Sequence, residues 1–265
     1  MKKYLILLLI PFLFGFQTTE CDTDKCPGQS YELAAMNPYV AGTVKAATGP
    51  VIILNETFEG STACYSGATG NDATCVVTWT RSNADATWYH ALQAGAPADA
   101  GTYGVNLIPT DNAHRIYWDY GSSVARATYN VDIEFTLYIN SATIDDDAYI
   151  GILSWASLNT GLSQAGALRV YNDTTPEPDQ LSLVASGVST SDAIDISAGT
   201  HYSVKIHLDT TYTDSYITVD ATTKTFSRGT SNDGRYFIIG SFLGQGVGET
   251  LDFEIGHIKV TIYTD

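Results

Sequence analysis

Histidines, carboxylates and tryptophans are the residue types in this chain that could do chemistry, and their spacing limits what that chemistry is. The five histidines, His90, His114, His201, His207 and His257, stand in no H-E-x-x-H or other metal-ligand spacing. No Gly-x-Ser-x-Gly elbow occurs, so serine-hydrolase chemistry has no support. His201 and His207 alternate with Lys205 onto one face of a strand pattern. A lyase could use such groups as base and charge neutraliser, although a polar sheet surface accounts for them more simply. Glu134 could pair across strands with Asp252 or Glu254 as two catalytic carboxylates, but these too alternate onto polar faces, where a solvated surface is the simpler reading. Sugars are held by aromatic faces, with amides and carboxylates bonding the hydroxyls. Trp88 and Tyr89 lie in a polar, Gly/Ala-rich stretch and are the best-placed aromatics for that role. Trp155 ends an apolar run and is expected to reach a rim, whereas Trp79 and Trp118 read as core. Asp145, Asp146 and Asp147 are consecutive, and three adjacent carboxylates repel unless hydrated or bound to a cation. An oxygen-rich loop of this kind suits Ca2+, which makes it the candidate metal site.

The elements that must position these residues are strands. From Val51 onward, short β-branched and aromatic runs are separated by Gly, Asn, Asp, Ser and Pro, with no sustained helical period. In Val131 to Ile139 the odd positions are apolar and the even ones, Asp132, Glu134, Thr136 and Tyr138, are polar or amphipathic. Tyr202 to Leu208 alternates in the same way. Such alternation belongs to sheets with one dry face and one wet face. The last run reads Leu251, Phe253, Ile255 and then Ile258, Val260, Ile262. Its register slips at Gly256-His257, as a β-bulge requires. Tyr149 to Leu153 and Tyr236 to Ile239 are apolar on both faces and are expected to be central strands. The expected architecture is all-β: a two-sheet antiparallel sandwich.

Charge and cysteines bound the partners and the compartment. The 265 residues include 29 acidic and 13 basic ones, a formal net charge of −16. A nucleic-acid partner is therefore not expected, because phosphate binding needs clustered Lys and Arg. Lys2 and Lys3 precede an apolar run from Tyr4 to Phe16, shorter than the roughly 20 residues of a membrane-spanning helix. Residues 1–20 thus read as a secretory signal, 21–50 as a leader or linker, and 51–265 as one large domain with no membrane insertion of the mature chain. Export makes disulfides the simplest use of the four cysteines, paired locally as Cys64–Cys75 and Cys21–Cys26. Lipidation at Cys21 is the rival, opposed by Thr18-Thr19-Glu20 before it.

The order of motifs then resembles a known family. Asn55-Glu56-Thr57-Phe58-Glu59-Gly60 resembles the "N-x-x-F-E-G" opening of concanavalin A-like, laminin G-like jelly-roll domains, with Trp79-Thr80 as the pair that follows. The Val131–Asn140 run looks like their central strand, and Gly199–Asp209 is similar to their "G-x-x-Y-x-V-x-I-x-x-D" strand. The stretches from Tyr236 to Phe242 and from Phe253 to Val260 resemble their closing pair. Such domains include lectins, adhesion domains, glucanases and polysaccharide lyases. The glucanases carry Glu-x-Asp-x-x-Glu. Here Glu177-Pro178-Asp179 has Ser182 in the final place and Glu20-Cys21-Asp22 has Lys25, so the motif is absent.

These observations lead to the expectation of a secreted, non-catalytic, carbohydrate-binding jelly roll whose partner is a glycan or polysaccharide. Two alternatives stand beside it: a structural or adhesive surface protein that self-associates through its jelly roll, and a glycoside hydrolase or polysaccharide lyase.

Overall fold

The computed structural model describes residues 49–60, 62–64, 74–81, 87–108, 115–125, 128–144, 149–156, 167–173, 180–185, 193–211, 213–226, 234–240 and 249–264. The first half of the domain supplies β1 (Val51–Glu56), β2 (Thr62–Ala63), β3 (Thr74–Cys75), β4 (Thr80–Arg81), β5 (Thr87–Ala91), β6 (Tyr103–Leu107), β7 (Arg115–Val124), β8 (Asn130–Thr143) and β9 (Tyr149–Ala156). The second half supplies β10 (Leu168–Asp173), β11 (Gln180–Ala185), β12 (Ile194–Ile196), β13 (His201–Leu208), β14 (Ser215–Val219), β15 (Thr222–Phe226), β16 (Gly234–Gly240) and β17 (Thr250–Tyr263).

Alternation folds these strands into two sheets with a dry layer between them. The eight-stranded sheet runs β15-β14-β13-β8-β17-β6-β5, and β1 also pairs with β17. The seven-stranded sheet runs β12-β11-β10-β9-β16-β7-β4, and β2 pairs with β3 in a separate ladder. Every described pairing within the two sheets is antiparallel. The molecule is therefore the all-β antiparallel sandwich expected from the sequence. Val131, Ile133, Leu137 and Ile139 of β8 are buried in the core with Val204, Ile206 and Leu208 of β13, and the alternate positions of both strands face outward. The expected central strands β9 and β16 do pair with each other in the middle of the seven-stranded sheet.

The bulge read at Gly256-His257 is present: β17 and β8 shift register between Ile255 and Ile258. Glycine is required there, because a Cβ on Gly256 would stand 2.2 Å from Thr136 Oγ1. A second slip, between Asp252 and Phe253, leaves Asn140 as the extra residue on β8.

The opening motif acts as an anchor. Glu56 is fully buried, and its carboxylate accepts from the backbone N–H of Phe58 (2.8 Å), Val76 (3.0 Å) and Val77 (3.2 Å) and from Trp79 Nε1 (3.1 Å). A buried carboxylate is tolerated only when it is bonded in this way. Cys64 and Cys75 form the expected disulfide beside it. Cys21 and Cys26 lie outside the described residues, as do the N-terminal signal and most of the leader. Among the described residues no helix is long and apolar enough to cross a membrane.

Candidate functional site

Each sheet turns one face away from the core, and the two outer faces have different chemistry. On the eight-stranded sheet the outward residues of β13, β8 and β17 line up in rows: His201 beside Tyr138 and Glu254, Lys205 beside Glu134 and Lys259, His207 beside Asp132 and Thr261. His201 and His207 share a face with Lys205 as expected, but six residues along a strand separate the two histidines by roughly 20 Å. They belong to two networks.

The first network is closed by a strap. His201 Nε2 donates to the Gln93 carbonyl (3.0 Å), and its ring lies 4.5 Å from that of Tyr138. Gln93 Nε2 donates to Glu254 Oε1 (3.1 Å), and Asn140, placed by the second bulge, donates from one nitrogen to Asp252 Oδ1 (3.0 Å) and Glu254 Oε1 (3.2 Å). Two carboxylates on one face invite a hydrolase reading. Glu254, however, is 1% exposed beneath this cover and cannot meet a polymer. Glu134 does not approach it: four residues of β8 separate Glu134 from Tyr138, the cross-strand partner of Glu254, and Glu134 pairs instead with Lys259 (3.2 Å).

The second network is an ion-pair cluster. Asp132 bonds Lys205 Nζ (2.8 Å) and His207 Nδ1 (2.7 Å), and the Tyr263 hydroxyl stands 3.2 Å from the same His207 nitrogen. His207 also stacks on Tyr216, with centroids 4.7 Å apart. Burial works to raise the Asp132 carboxyl, but the hydrogen bonds from His207 and Lys205 outweigh it and hold the group below the usual carboxylate range. Burial, assisted by the Asp132 charge, pushes the Tyr263 phenol up to about 12. The Lys205 ammonium is matched by Asp132, so the neutraliser suggested by the sequence is already occupied.

The outer face of the seven-stranded sheet is partly buried. Ile238, Ala167, Ser154, Ser182 and Val184 are all buried although they point away from the core. Ile238 and Ala167 form an apolar cluster apart from the main core, and Tyr117 and Tyr236 pack onto it. Tyr117 stands opposite Ile238 in the ladder, and the two tyrosine rings meet edge to face at 6.0 Å. Two residues before Tyr117, on the same face, is Arg115, opposite Gly240 of β16. Beyond β9, Arg169 of β10 stands opposite Gly151. Arg115 and Arg169 thus flank two strands that present glycine between them, about 14 Å apart at three strand spacings. Each buries its Nε. All four arginines among the described residues, Arg81, Arg115, Arg169 and Arg235, lie on this sheet, whereas the described lysines, Lys205, Lys224 and Lys259, lie on the other. Guanidinium is the group suited to planar, bidentate recognition of carboxylates.

No family model matches the chain, and no curated protein is similar to it at a significant level. Similar solved structures do exist, and carbohydrate-active enzymes are among them. One is the Trypanosoma rangeli sialidase in complex with sialic acid, at 16% identity over 78% of this chain and 30% of that one, TM-score 0.45. This chain therefore spans less than a third of the sialidase. Another is a carbohydrate esterase from the Shiga toxin-encoding bacteriophage phi24B, at 11% identity over 82% and 100% of the two chains, TM-score 0.49. A third is alginate lyase AlgAT5 from polysaccharide lyase family 7, at 14% identity over 81% and 94%, TM-score 0.45. At such values the likeness is one of fold.

The expectation of a non-catalytic, lectin-like domain is corrected here. Chains of similar fold include a sialidase, a carbohydrate esterase and polysaccharide lyases. The aromatic platform that supported it also loses a member: Trp155 is fully buried, against Phe237 and Tyr120. The apolar run it ends continues through the middle of the sheet, and Gly234 makes room for its indole, where a Cβ would stand 1.8 Å from Trp155 Nε1. Trp88 and Tyr89 belong to β5, with side chains outside the described part, and Asp145, Asp146 and Asp147 lie outside it altogether. Among the described residues no group of three His, Cys, Asp or Glu could hold a metal ion. Trp79 is core as expected, bonded to Glu56. Residue types alone missed the Arg/Tyr face. Its signal was the period-2 run Arg115, Tyr117, Asp119, whose partners lie over a hundred residues away on β16.

Proposed function

We propose that this chain is an exported polysaccharide lyase of concanavalin A-like type, acting on a uronate-containing polymer at the outer face of the seven-stranded sheet. The observation that carries the reading is the Tyr117–Tyr236 pair on the outer sheet face, with Arg115 two residues before Tyr117 and Arg169 on the same face. β-Elimination needs three things of a protein: a cation on the uronate carboxylate, a base for the proton beside it and an acid for the leaving oxygen. In this reading Arg115 and Arg169 bind carboxylates of the polymer. One phenol, as phenolate, takes the C5 proton; the freed electron pair forms the C4–C5 double bond as the C4–O bond breaks. The other phenol returns a proton to the departing oxygen. The Cys64–Cys75 disulfide supports an oxidising compartment.

Incubation with uronate polymers should yield 4,5-unsaturated chain ends, read by their ultraviolet absorbance. Tyr117→Phe and Tyr236→Phe should each lower turnover by about 10²- to 10⁴-fold, the usual contribution of a proton-transfer group. Unsaturated product formed at the wild-type rate by both variants would remove the tyrosines from the reaction.

A further inference from the structure

Tyr236 is held by a pair of side chains that has no evident structural purpose. Arg235 Nε and Nη2 donate to the two carboxylate oxygens of Asp119, each at 2.8 Å, in the planar bidentate form. Asp119 is fixed in turn by the Gly121 N–H (2.8 Å), within the irregular stretch of β7 where Gly121 has φ +88°. A positive φ of that size favours glycine. The guanidinium carbon then stands 5.1 Å over the Tyr236 ring. Tyr236 and Asp119 are partners in the ladder between β16 and β7, so the ion pair closes over the phenol that the strand presents. On its remaining sides the ring meets the edge-to-face contact with Tyr117 and the Ile238–Ala167 cluster. The Arg235 and Asp119 side chains are 41% and 38% exposed. Ion pairs so open to water contribute little to stability. A two-point bond backed by the Gly121 N–H is more geometry than such a surface contact needs, and it fixes a side chain at a site where placement governs rate.

We infer that Asp119 and Arg235 are a positioning pair that sets the Tyr236 phenol for proton transfer, an inference that rests on the role given to Tyr236 above. Lysine cannot replace Arg235, because an ammonium neither forms the fork with Asp119 nor lies flat on the ring.

The test compares wild type, Arg235→Lys, Arg235→Ala, Asp119→Asn and the exchanged pair Asp119→Arg with Arg235→Asp. Three quantities are read: melting temperature, kcat and KM on polygalacturonate and polymannuronate, and ring flipping of Tyr236 in tyrosine-labelled protein, assigned with Tyr236→Phe. The three single variants should keep the wild-type melting temperature. Each should lose about tenfold or more in kcat with a smaller change in KM, the scale of loss from misplaced reacting groups. In each the Tyr236 signals should change from slow to averaged flipping, and the exchanged pair should recover part of both losses. Unchanged ring flipping in Arg235→Ala would overturn the inference, and so would an unchanged kcat. If wild type cleaves neither polymer, the lyase reading is what fails, while the ring-flip comparison still decides whether the pair holds Tyr236.

Discussion

Glu56 offers the sharpest test of how the opening motif holds the fold. Its carboxylate, itself fully buried, is the shared acceptor for three backbone N–H groups and one indole N–H. Oε1 serves Phe58 and Val76, while Oε2 serves Val77 and Trp79 and is 3.1 Å from the Val76 nitrogen. Glu56→Gln keeps size and shape but turns one oxygen into an NH2 group. Replacing Oε1 takes the acceptor from Phe58 while Val76 keeps Oε2, and replacing Oε2 takes it from both Val77 and Trp79. An unsatisfied buried donor costs about 1–3 kcal/mol, and bonds to a charged acceptor are at the strong end. The amide takes the less costly orientation, so the expected loss is about 2–3 kcal/mol, a substantial share of the roughly 5–15 kcal/mol by which domains are usually stable. Urea unfolding followed by tryptophan fluorescence measures it, and Trp79, itself one of the donors, reports directly on the site. The disulfide between Cys64 and Cys75 should remain formed, so the loss belongs to the folded site and not to a lost cross-link. A change below about 1 kcal/mol, smaller than one orphaned donor, would refute the assignment of Glu56 as the anchor.

Other consequences follow from the same geometry. Asp132 is held below its ordinary value, so the stability it provides is present above the unfolded carboxylate range and is lost as pH falls through its folded value. Asp132→Asn should flatten the acid limb of unfolding free energy against pH. Tyr263 has the opposite sign: its folded value is raised from 10.0 to about 12, so its contribution is intact below pH 10 and is lost as pH rises between those two values. Tyr263→Phe should remove that alkaline limb. Trp155→Ala should cost about 3–5 kcal/mol, as emptying a core site does. Gly234→Ala should destabilise through the same indole, whereas a rim position would leave denaturant midpoints unmoved.

How much of this could be read in the sequence depends on whether the signal was local. Alternation along one strand is local, so β8, β13 and the bulge at Gly256-His257 were legible residue by residue. The doubly apolar runs of β9 and β16 marked central strands for the same reason. Cross-strand register is not local. The pairing of Tyr117 with Ile238, of Arg115 with Gly240 and of Arg169 with Gly151 joins strands whose order in the sheet differs from their order in the chain. Composition also misled, because histidines and carboxylates drew attention to the eight-stranded sheet, where they satisfy one another. The arginines that gather on the opposite sheet are few and far apart in sequence. Trp155 was misread because a run's last apolar residue does not say whether the sheet continues past it.

Elimination at the Arg/Tyr face leaves a mass signature in the products of a uronate polymer, which mass spectrometry reads. Wild type should release oligosaccharides with an unsaturated terminus, each lighter by one water than the hydrolytic product of the same length, and Tyr236→Phe should strongly reduce their yield. Products of full hydrolytic mass, or elimination products that persist undiminished when both Tyr117 and Tyr236 are phenylalanine, would contradict elimination at this face.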